Sequence, residues 1–378
     1  MSMFRILLIS SVTLVHAYVL WRVAWVRFFR RRFSGRQMTA AAIVLWAVLV
    51  AGGLSSHGHD GFPFLCLEWL GMTWMGALLL FATPMIVVDL ATGFGLLFRR
   101  PAARLRGYAL IVGGLLCVIA LIQGHRSPVI SHHEIQIPDL PREMDGTVIA
   151  VLSDLHIGSF LGEKWLNERA SQIDAFHPDL VVLVGDMLEG HSLLRHQDRL
   201  ADAFGRLSAP LGVWAVYGNH EFYDESHAAG AILQKAGIEV LHNRWVEIAP
   251  GLVLAGVDDL TIHKRSGRVD DPVKTALAGR PAGAVILLSH TPWEVEKAAA
   301  MGVGLMLSGH THGGQIWPFD LLTRRVYPFV EGRYDIGPMA LIVCRGTGTW
   351  GPRMRFWLPD EILAIRLRAT GRPMDGES

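Results

Sequence analysis

Long apolar runs dominate the first third of this 378-residue chain, and shorter ones follow. A bilayer span needs about 20 mostly apolar residues. Four early runs meet that requirement, at about 5–26, 39–55, 70–92 and 107–124. The first run lacks the small-residue cleavage site of a signal peptide, so we expect it to be retained. The pattern predicts an α-helical membrane anchor of about four transmembrane helices.

Beyond residue 146 the apolar runs are short, and each ends in polar side chains. Five of them are typical of strands buried on both faces: 147–158, 178–190, 212–222, 283–292 and 303–314. Helical spacing of apolar residues occurs between them, at 164–176, 196–207 and 293–302. This alternation predicts an α/β domain, in which the carboxyl ends of the strands line one crevice.

These patterns divide the chain into four parts. Residues 1–125 are predicted to be the membrane anchor and residues 126–146 a linker. Residues 147–368 are predicted to form the globular domain, and residues 369–378 a flexible tail.

The distribution of charge predicts an orientation in the membrane. The loop after the first run carries five arginines, the loop at 56–68 has no Lys or Arg, and the loop at 99–106 is again basic. The positive-inside rule places the two basic loops in the cytoplasm. We therefore expect a multi-pass protein of the plasma or inner membrane, with its globular domain on the outer or periplasmic face. Arg22 and Asp89 lie near predicted helix ends, where we expect their charges to reach the membrane surface.

Overall charge and cysteine content add little. The formal net charge of +1 gives no indication of a nucleic-acid partner. The three cysteines show no pairing pattern, so no disulfide framework is implied.

The polar side chains at the predicted strand ends form a candidate metal site. Singly, each is typical of a cap, a turn or a surface residue. Together, five strand ends that all carry hard or borderline ligands favour a metal. The residues concerned are Asp154, His156, Asp186, Asn219, His290, His310 and His312.

The motifs SDLH, GDMLE, GNHE, a lone SH and GHTH occur in this order, within roughly residues 145–368. They resemble the signature of the calcineurin-like metallophosphoesterases. The GHTHGGQ block and residues 346–367 resemble the membrane-anchored bacterial branch, whose members carry this domain after N-terminal transmembrane helices. The resemblance implies a fold of two mixed β-sheets packed face to face and flanked by helices.

The resemblance also implies a dinuclear metal centre. One ion would be held by Asp154, His156, Asp186 and His312. The other would be held by Asp186, Asn219, His290 and His310, with Asp186 bridging the two ions. A set of nitrogen and oxygen donors without thiolate suits Mn, Fe or Zn.

The same resemblance implies roles for further residues. A metal-bridged hydroxide would attack a phosphodiester or related phosphate ester, and His220 would protonate the leaving group or stabilise the transition state. Glu189 and Glu221 would orient ligand histidines. Residues that would contact the substrate are Arg333, Arg345, Trp317 and Trp350.

Three functions remain open at this stage. The first is a membrane-anchored, metal-dependent phosphoesterase that acts on a lipid or envelope component at the bilayer. The second is a lipid pyrophosphohydrolase of the UDP-diacylglucosamine type, whose substrate is cytoplasmic. The third is a non-catalytic membrane sensor or scaffold that uses its metals structurally.

Overall fold

The computed structural model describes residues 3–55, 61–189, 193–223 and 228–370. Within these ranges the chain forms two compact units. The helical unit contains the N-terminal part up to Arg126 together with two later segments, residues 315–321 and 351–357. The globular unit contains the remainder of the chain. The last residues of the predicted tail, 371–378, lie outside the described ranges.

Four helices of the helical unit are long and apolar enough to cross a membrane. The four are α1 Met3–Ala24, α3 Gly35–Ser55, α4 Phe62–Ala91 and α5 Arg99–Gly124. A short helix, α2 Arg27–Arg32, lies between α1 and α3. Two of the four, α4 and α5, begin eight residues earlier than their apolar runs. Pro63 lies in the first turn of α4, where proline is compatible with a helix start. The arginine-rich residues 99–106 extend α5, because arginine is a good helix former.

Close helix packing in this unit depends on glycine. A Cβ atom on Gly71 of α4 would lie 2.7 Å from the Val48 carbonyl oxygen of α3. A Cβ atom on Gly52 of α3 would likewise lie 2.7 Å from the Leu67 carbonyl oxygen. Small residues of this kind let membrane helices approach each other.

Three charged residues of the helical unit, Asp89, Arg22 and Arg106, pair in its interior. Asp89 is buried and lies 2.6 Å from Arg22 Nε and 2.8 Å from Arg106 Nη2. The Tyr18 hydroxyl donates a third contact to Asp89, at 2.8 Å. The expectation that Arg22 and Asp89 reach the membrane surface is therefore wrong, because each charge finds its partner on another helix.

The globular unit contains two six-stranded sheets. Their orders are β1-β12-β2-β3-β4-β5 and β10-β11-β9-β8-β7-β6. The strands are β1 Val129–Ile137, β2 Val148–Leu152, β3 Leu180–Val184, β4 Val213–Val216, β5 Glu239–Val240, β6 Arg244–Ala249, β7 Leu252–Gly256, β8 Ala284–Leu288, β9 Leu305–Ser308, β10 Gly332–Ile336, β11 Met339–Val343 and β12 Glu361–Ala369. Both sheets are mixed, since β12 is antiparallel to β2, and β6 and β10 are antiparallel to β7 and β11.

Helices flank both sheets. They are α6 Glu163–Asp174, α7 Leu193–Phe204, α8 Asn219–Tyr223, α9 Ala228–Lys235, α10 Leu260–Arg265, α11 Pro272–Leu277, α12 Val295–Ala300 and α13 Asp320–Val326. The central core joins the facing sides of the two sheets, for example Val151 and Val182 of one with Leu254 and Ile286 of the other. The predicted fold class is confirmed: two mixed sheets with flanking helices, preceded by four apolar helices.

The segment expected to be a linker, residues 126–146, instead contains a strand. β1 pairs in parallel with β12 along its whole length, from Val129 opposite Glu361 to Ile137 opposite Ala369. Ile135 and Ile137 alternate onto the buried face of the sheet and join the central core. Only the second half of β1 alternates clearly, which explains why its sequence did not indicate a strand.

Candidate metal centre

The candidate ligands follow the carboxyl ends of strands from both sheets. Five of them adopt the left-handed backbone region, with φ between 45° and 71°: Asp154, His156, Asp186, His310 and His312. Side-chain-bearing residues rarely adopt this conformation, and it is concentrated at functional sites. The backbone turns sharply where each strand ends, and these turns direct the side chains toward one another.

Two glycines of the motifs are required by close approach. A Cβ atom on Gly218 would lie 2.2 Å from Asp186 Oδ1, and one on Gly309 would lie 2.4 Å from Asp154 Oδ2. Neither carboxylate could hold its position beside a larger residue. The glycines in GNHE and GHTH therefore leave room for the carboxylates of Asp186 and Asp154.

The first cluster of candidate ligands consists of Asp154, His156 and His312. His156 Nε2 and His312 Nε2 lie 3.1 Å apart, and Asp154 Oδ1 lies 3.4 Å from His312 Nε2. The other ring nitrogen of His156, Nδ1, lies 3.0 Å from Glu189 Oε2. A donor at Nδ1 leaves the Nε2 lone pair directed into the cluster.

The second cluster consists of Asp186, His290 and His310. His290 Nε2 lies 3.1 Å from Asp186 Oδ2 and 3.3 Å from His310 Nδ1. Each histidine again has its second nitrogen engaged outside the cluster. His290 Nδ1 is 2.8 Å from the Val184 carbonyl oxygen, and His310 Nε2 is 2.7 Å from the Tyr327 hydroxyl.

Two observations favour a metal at these clusters. Asp186 Oδ2 faces both, at 3.1 Å from His290 Nε2 and 3.9 Å from His156 Nε2. The buried amide oxygen of Asn219 finds no hydrogen-bond donor within the described part of the chain. An unpartnered buried acceptor is unfavourable unless a cation or water binds it. Nitrogen and oxygen donors therefore converge in a set that suits a divalent transition metal.

The electrostatics of the centre favour added positive charge. Burial by itself lowers the pKa of His156, but Glu189, Asp186 and Asp154 outweigh burial and raise this pKa to about 9. Burial would raise the pKa of Glu189, yet His220 and His156 bring it down to about 2. Glu189 and Asp186, whose pKa values are lowered, therefore favour positive charge at the neighbouring nitrogens.

His220 and the two predicted supporting glutamates also lie at the centre. His220 Nδ1 is 3.3 Å from Glu189 Oε1, and its Nε2 is 4.0 Å from Asp186 Oδ2. Glu189 thus contacts both His156 and His220. Glu221 contacts backbone rather than histidine: its carboxylate accepts N–H bonds from Asp186, Met187, Leu188 and Gly218, at 2.7 to 3.1 Å.

The four residues predicted to contact the substrate lie in different surroundings. The Trp350 ring lies 6.4 Å from the His220 ring. Arg345 pairs with Glu361 at 2.6 Å, and Arg333 pairs with Asp335 at 3.0 Å. These contacts direct both guanidinium groups to carboxylates of the scaffold. Trp317 lies on a segment of the helical unit.

Three residues near the centre did not emerge from the sequence. Tyr327 contacts His310, as described above, and Tyr223 packs edge-on to His220 with ring centres 5.7 Å apart. Arg265 Nη1 donates to the Tyr223 hydroxyl at 2.6 Å. Tyr223 follows the GNHE motif closely, so proximity to the motif would have indicated it. Tyr327 and Arg265 belong to no motif, and only folding places them here.

Comparison with known proteins identifies relatives of the chain. The family described as calcineurin-like phosphoesterase matches residues 147–314. A transmembrane protein with metallophosphoesterase domain from Danio rerio is 28% identical, over 96% of this chain and 89% of its own. An uncharacterised metallophosphoesterase of Campylobacter jejuni is 31% identical, over 69% of each chain. One from Aquifex aeolicus is 33% identical, over 64% of this chain and 92% of its own.

Proposed function

Because this chain belongs to the calcineurin-like metallophosphoesterases and is a phosphoester hydrolase, we propose that it is a membrane-anchored, dinuclear phosphodiesterase acting on a lipid or envelope component. The observation that carries the proposal is that Asp186 Oδ2 faces both ligand clusters, at 3.1 Å from His290 Nε2 of one and 3.9 Å from His156 Nε2 of the other. A single metal ion would leave the donor atoms of one cluster without a bound ion.

The residues of each proposed metal position follow from the contacts. Asp154, His156 and His312 would hold one ion, and His290, His310 and Asn219 the other. Asp186 would contribute to both. When bound, two divalent ions of Mn, Fe or Zn supply Lewis acidity that activates water and offsets the charge of phosphate oxygens.

His220 is the proposed general acid. Its Nδ1 lies 3.3 Å from Oε1 of the ionised Glu189, which can accept a hydrogen bond from Nδ1–H. Its Nε2 is then the nitrogen that carries a proton toward the ligand clusters, on the side of Asp186. From this position His220 would donate that proton to the leaving alkoxide oxygen.

The two glutamates position other groups. Glu221 accepts N–H bonds on both sides of Asp186 and so holds the GDML turn against the turn that carries Asn219. Glu189 orients His156 and His220 together. Loss of either carboxylate is therefore expected to disturb ligand geometry rather than remove a ligand.

The location of the substrate is inferred from the membrane helices. Four apolar helices and transmembrane relatives support association with a bilayer. The basic loops support a multi-pass arrangement with the globular unit on the outer face. That orientation favours an outer-leaflet or envelope phosphate ester over the cytoplasmic substrate of a UDP-diacylglucosamine pyrophosphohydrolase. A non-catalytic sensor is disfavoured because every proposed ligand and His220 are present.

Hydrolysis tests the proposal directly. The detergent-purified protein is assayed with a chromogenic phosphodiester and the matching monoester, metal-stripped and with added Mn²⁺. We expect metal-dependent turnover that prefers the diester. Asp186→Asn should abolish it, since one residue serves both clusters. His220→Ala should lower kcat by about 10²–10⁴-fold, the usual contribution of general acid catalysis.

Two measurements make a negative result informative. Metal content distinguishes the variants, because His220→Ala should retain its Mn²⁺ while Asp186→Asn should not. A folded wild-type protein that binds two ions per chain yet hydrolyses neither ester would contradict the proposal in favour of a sensor. One ion per chain at saturation would contradict the dinuclear centre.

A further inference from the structure

Two segments that lie far along the chain belong to the helical unit. Residues 315–321 and 351–357, here called the loop pair, are joined by an isolated parallel bridge between Ile316 and Phe356. Their inner side chains pack on the membrane helices. Ile316 and Met354 form a buried cluster with Leu80 of α4 and Ala120 of α5.

The contacts of the loop pair lie deep along these helices. Gly76 of α4 faces Met354 so closely that a Cβ atom would lie 2.9 Å from its sulfur. Along α4, Gly76 is about 20 Å from Asp89, and along α5, Ala120 is about 21 Å from Arg106. The Asp89–Arg106 pair marks the basic end of both helices. Since the hydrocarbon core is about 30 Å thick, the loop pair reaches into the leaflet at which α5 ends.

The backbone of the loop pair is suited to that depth. Non-helical backbone is tolerated in a bilayer only where its polar groups are paired. The Arg355 N–H donates to the Ala120 carbonyl oxygen at 2.9 Å, which joins the second loop to α5. The Trp317 N–H donates to Phe356 O at 3.1 Å, and the Phe356 N–H donates to Gln315 O at 3.0 Å.

The outward side chains of the loop pair are large, apolar and exposed. The exposed fraction is 73% for Trp357, 56% for Leu321 and 47% for Phe319, and Trp317 is exposed to 37%. Aromatic side chains, tryptophan above all, prefer the boundary between acyl chains and headgroups. Apolar side chains near the end of α5, Ile119 and Ile122, are exposed as well, and α4 and α5 are both long and apolar enough to cross a membrane.

We propose that the loop pair is a phospholipid-binding surface inserted in the leaflet at which α5 ends. Its exposed aromatic and leucine side chains would contact lipid, while its inner side chains hold it to α4 and α5. This part of the inference rests on the membrane spans and not on catalysis.

The position of the loop pair in the sequence connects it with the substrate. The first loop begins three residues after the candidate ligand His312, and the second follows Trp350, the residue beside His220. Both segments of the loop pair thus begin, along the sequence, within three residues of a residue of the site. We therefore assign the substrate to phosphate esters carried by a lipid in that leaflet, a step that rests on the proposed hydrolase function.

Spin-label accessibility tests the lipid contact without any turnover. Labels are placed at Phe319→Cys and Trp357→Cys in a full-length background with Cys66→Ser, Cys117→Ala and Cys344→Ala. The protein is reconstituted in phosphatidylethanolamine–phosphatidylglycerol vesicles.

We expect collisions of the spin labels with oxygen to exceed those with a polar nickel chelate at both positions, because oxygen concentrates in the acyl region. Val269→Cys, fully exposed in the globular unit, should show the reverse. Nickel-dominated collisions at 319 and 357 would overturn the proposal.

A variant tests delivery of the substrate. Phe319→Ser/Trp357→Ser should hydrolyse the soluble chromogenic phosphodiester at the wild-type rate. Its turnover of an acyl-chain-bearing phosphodiester in the same vesicles should fall about tenfold, the effect of losing 1.4 kcal/mol of interfacial binding. Equal losses on both substrates, or no loss on either, would overturn the lipid assignment. Absence of turnover in the wild-type protein would instead contradict the hydrolase function and leave the spin-label result standing.

Discussion

At the scale of single residues, the centre depends on side chains that never contact a metal. Glu221 uses both oxygens to accept backbone N–H groups from two separate turns. Burial and the charge of Asp186 raise the pKa of Glu221, while the same N–H donors favour its ionised form. His310 is held from outside in a similar way by Tyr327. Ligand identity is thus only part of what the site requires.

Tyr327→Phe tests this outer contact. The Tyr327 hydroxyl is 2.7 Å from His310 Nε2, so its loss should free the imidazole to rotate. We expect affinity for the Mn²⁺ held by His310 to fall about 10–100-fold, as is usual when a hydrogen-bond partner of a metal ligand is lost. Titration calorimetry of the metal-stripped protein measures this.

Tyr108→Phe is the matched control for that measurement. Tyr108 is exposed on α5, so removal of its hydroxyl should leave both Mn²⁺ affinities unchanged. Wild-type affinities in Tyr327→Phe would show that packing alone orients His310.

At the scale of secondary-structure elements, the membrane helices carry a buried ion cluster in place of a wholly apolar interface. Asp89 of α4 pairs with Arg22 of α1 and Arg106 of α5, and so connects three helices near their basic ends. Such a cluster specifies which helices associate and in what register, because each charge is satisfied in one arrangement only. Arg22 also stacks over Trp21, with its guanidinium carbon 3.9 Å from the ring centre.

Removal of the central charge should be costly. Asp89→Asn preserves size but leaves Arg22 and Arg106 buried without a counter-charge. Breaking a buried ion pair in this way destabilises a protein by about 3–5 kcal/mol. We expect thermal unfolding in detergent, followed by circular dichroism, to shift to distinctly lower temperature.

An exposed ion pair provides the comparison. Asp198 pairs with Lys235 at 2.7 Å on the surface of the globular unit, where solvent screens the interaction. Asp198→Asn should therefore leave the unfolding midpoint unchanged. An equally small effect of Asp89→Asn would show that the arginines find other partners.

At the scale of the whole molecule, the chain passes between its two units several times. It leaves the helical unit after Arg126, returns at residues 315–321 and again at 351–357, and ends in the globular unit. A simple tether would need one such passage. Repeated passages make the anchor and the globular unit interdependent in folding, so neither part is expected to behave as an independent domain.

Fusion reporters test the proposed topology. Alkaline phosphatase fused after Ala369 should be active and a green fluorescent protein should be dark, because the basic loops keep their own side in the cytoplasm. The same pair fused after Arg36 should give the opposite result. A fluorescent C-terminal fusion would place the globular unit in the cytoplasm and revive the pyrophosphohydrolase alternative.

Much of this protein could be predicted from local pattern. Length and apolar content predicted four helices that are long and apolar enough to cross a membrane, since a span depends on little else. Short apolar runs ending in Asp, Asn and His indicated the strands and the candidate ligands, because strand ends converge whatever the loops between them do. The structure brings six of the seven predicted ligands together in two clusters, Asp154, His156 and His312 in one and Asp186, His290 and His310 in the other.

Other features arose only from tertiary structure, because they depend on contacts between distant positions. β1 is a strand because β12, more than 200 residues later, offers it a partner. Arg345 pairs with Glu361, sixteen residues later, and Tyr327 reaches His310 across a helix and a loop. The loop pair belongs with the membrane helices although its sequence lies within the phosphoesterase part. Sequence pattern determines which faces are buried, and only the packed chain decides what they are buried against.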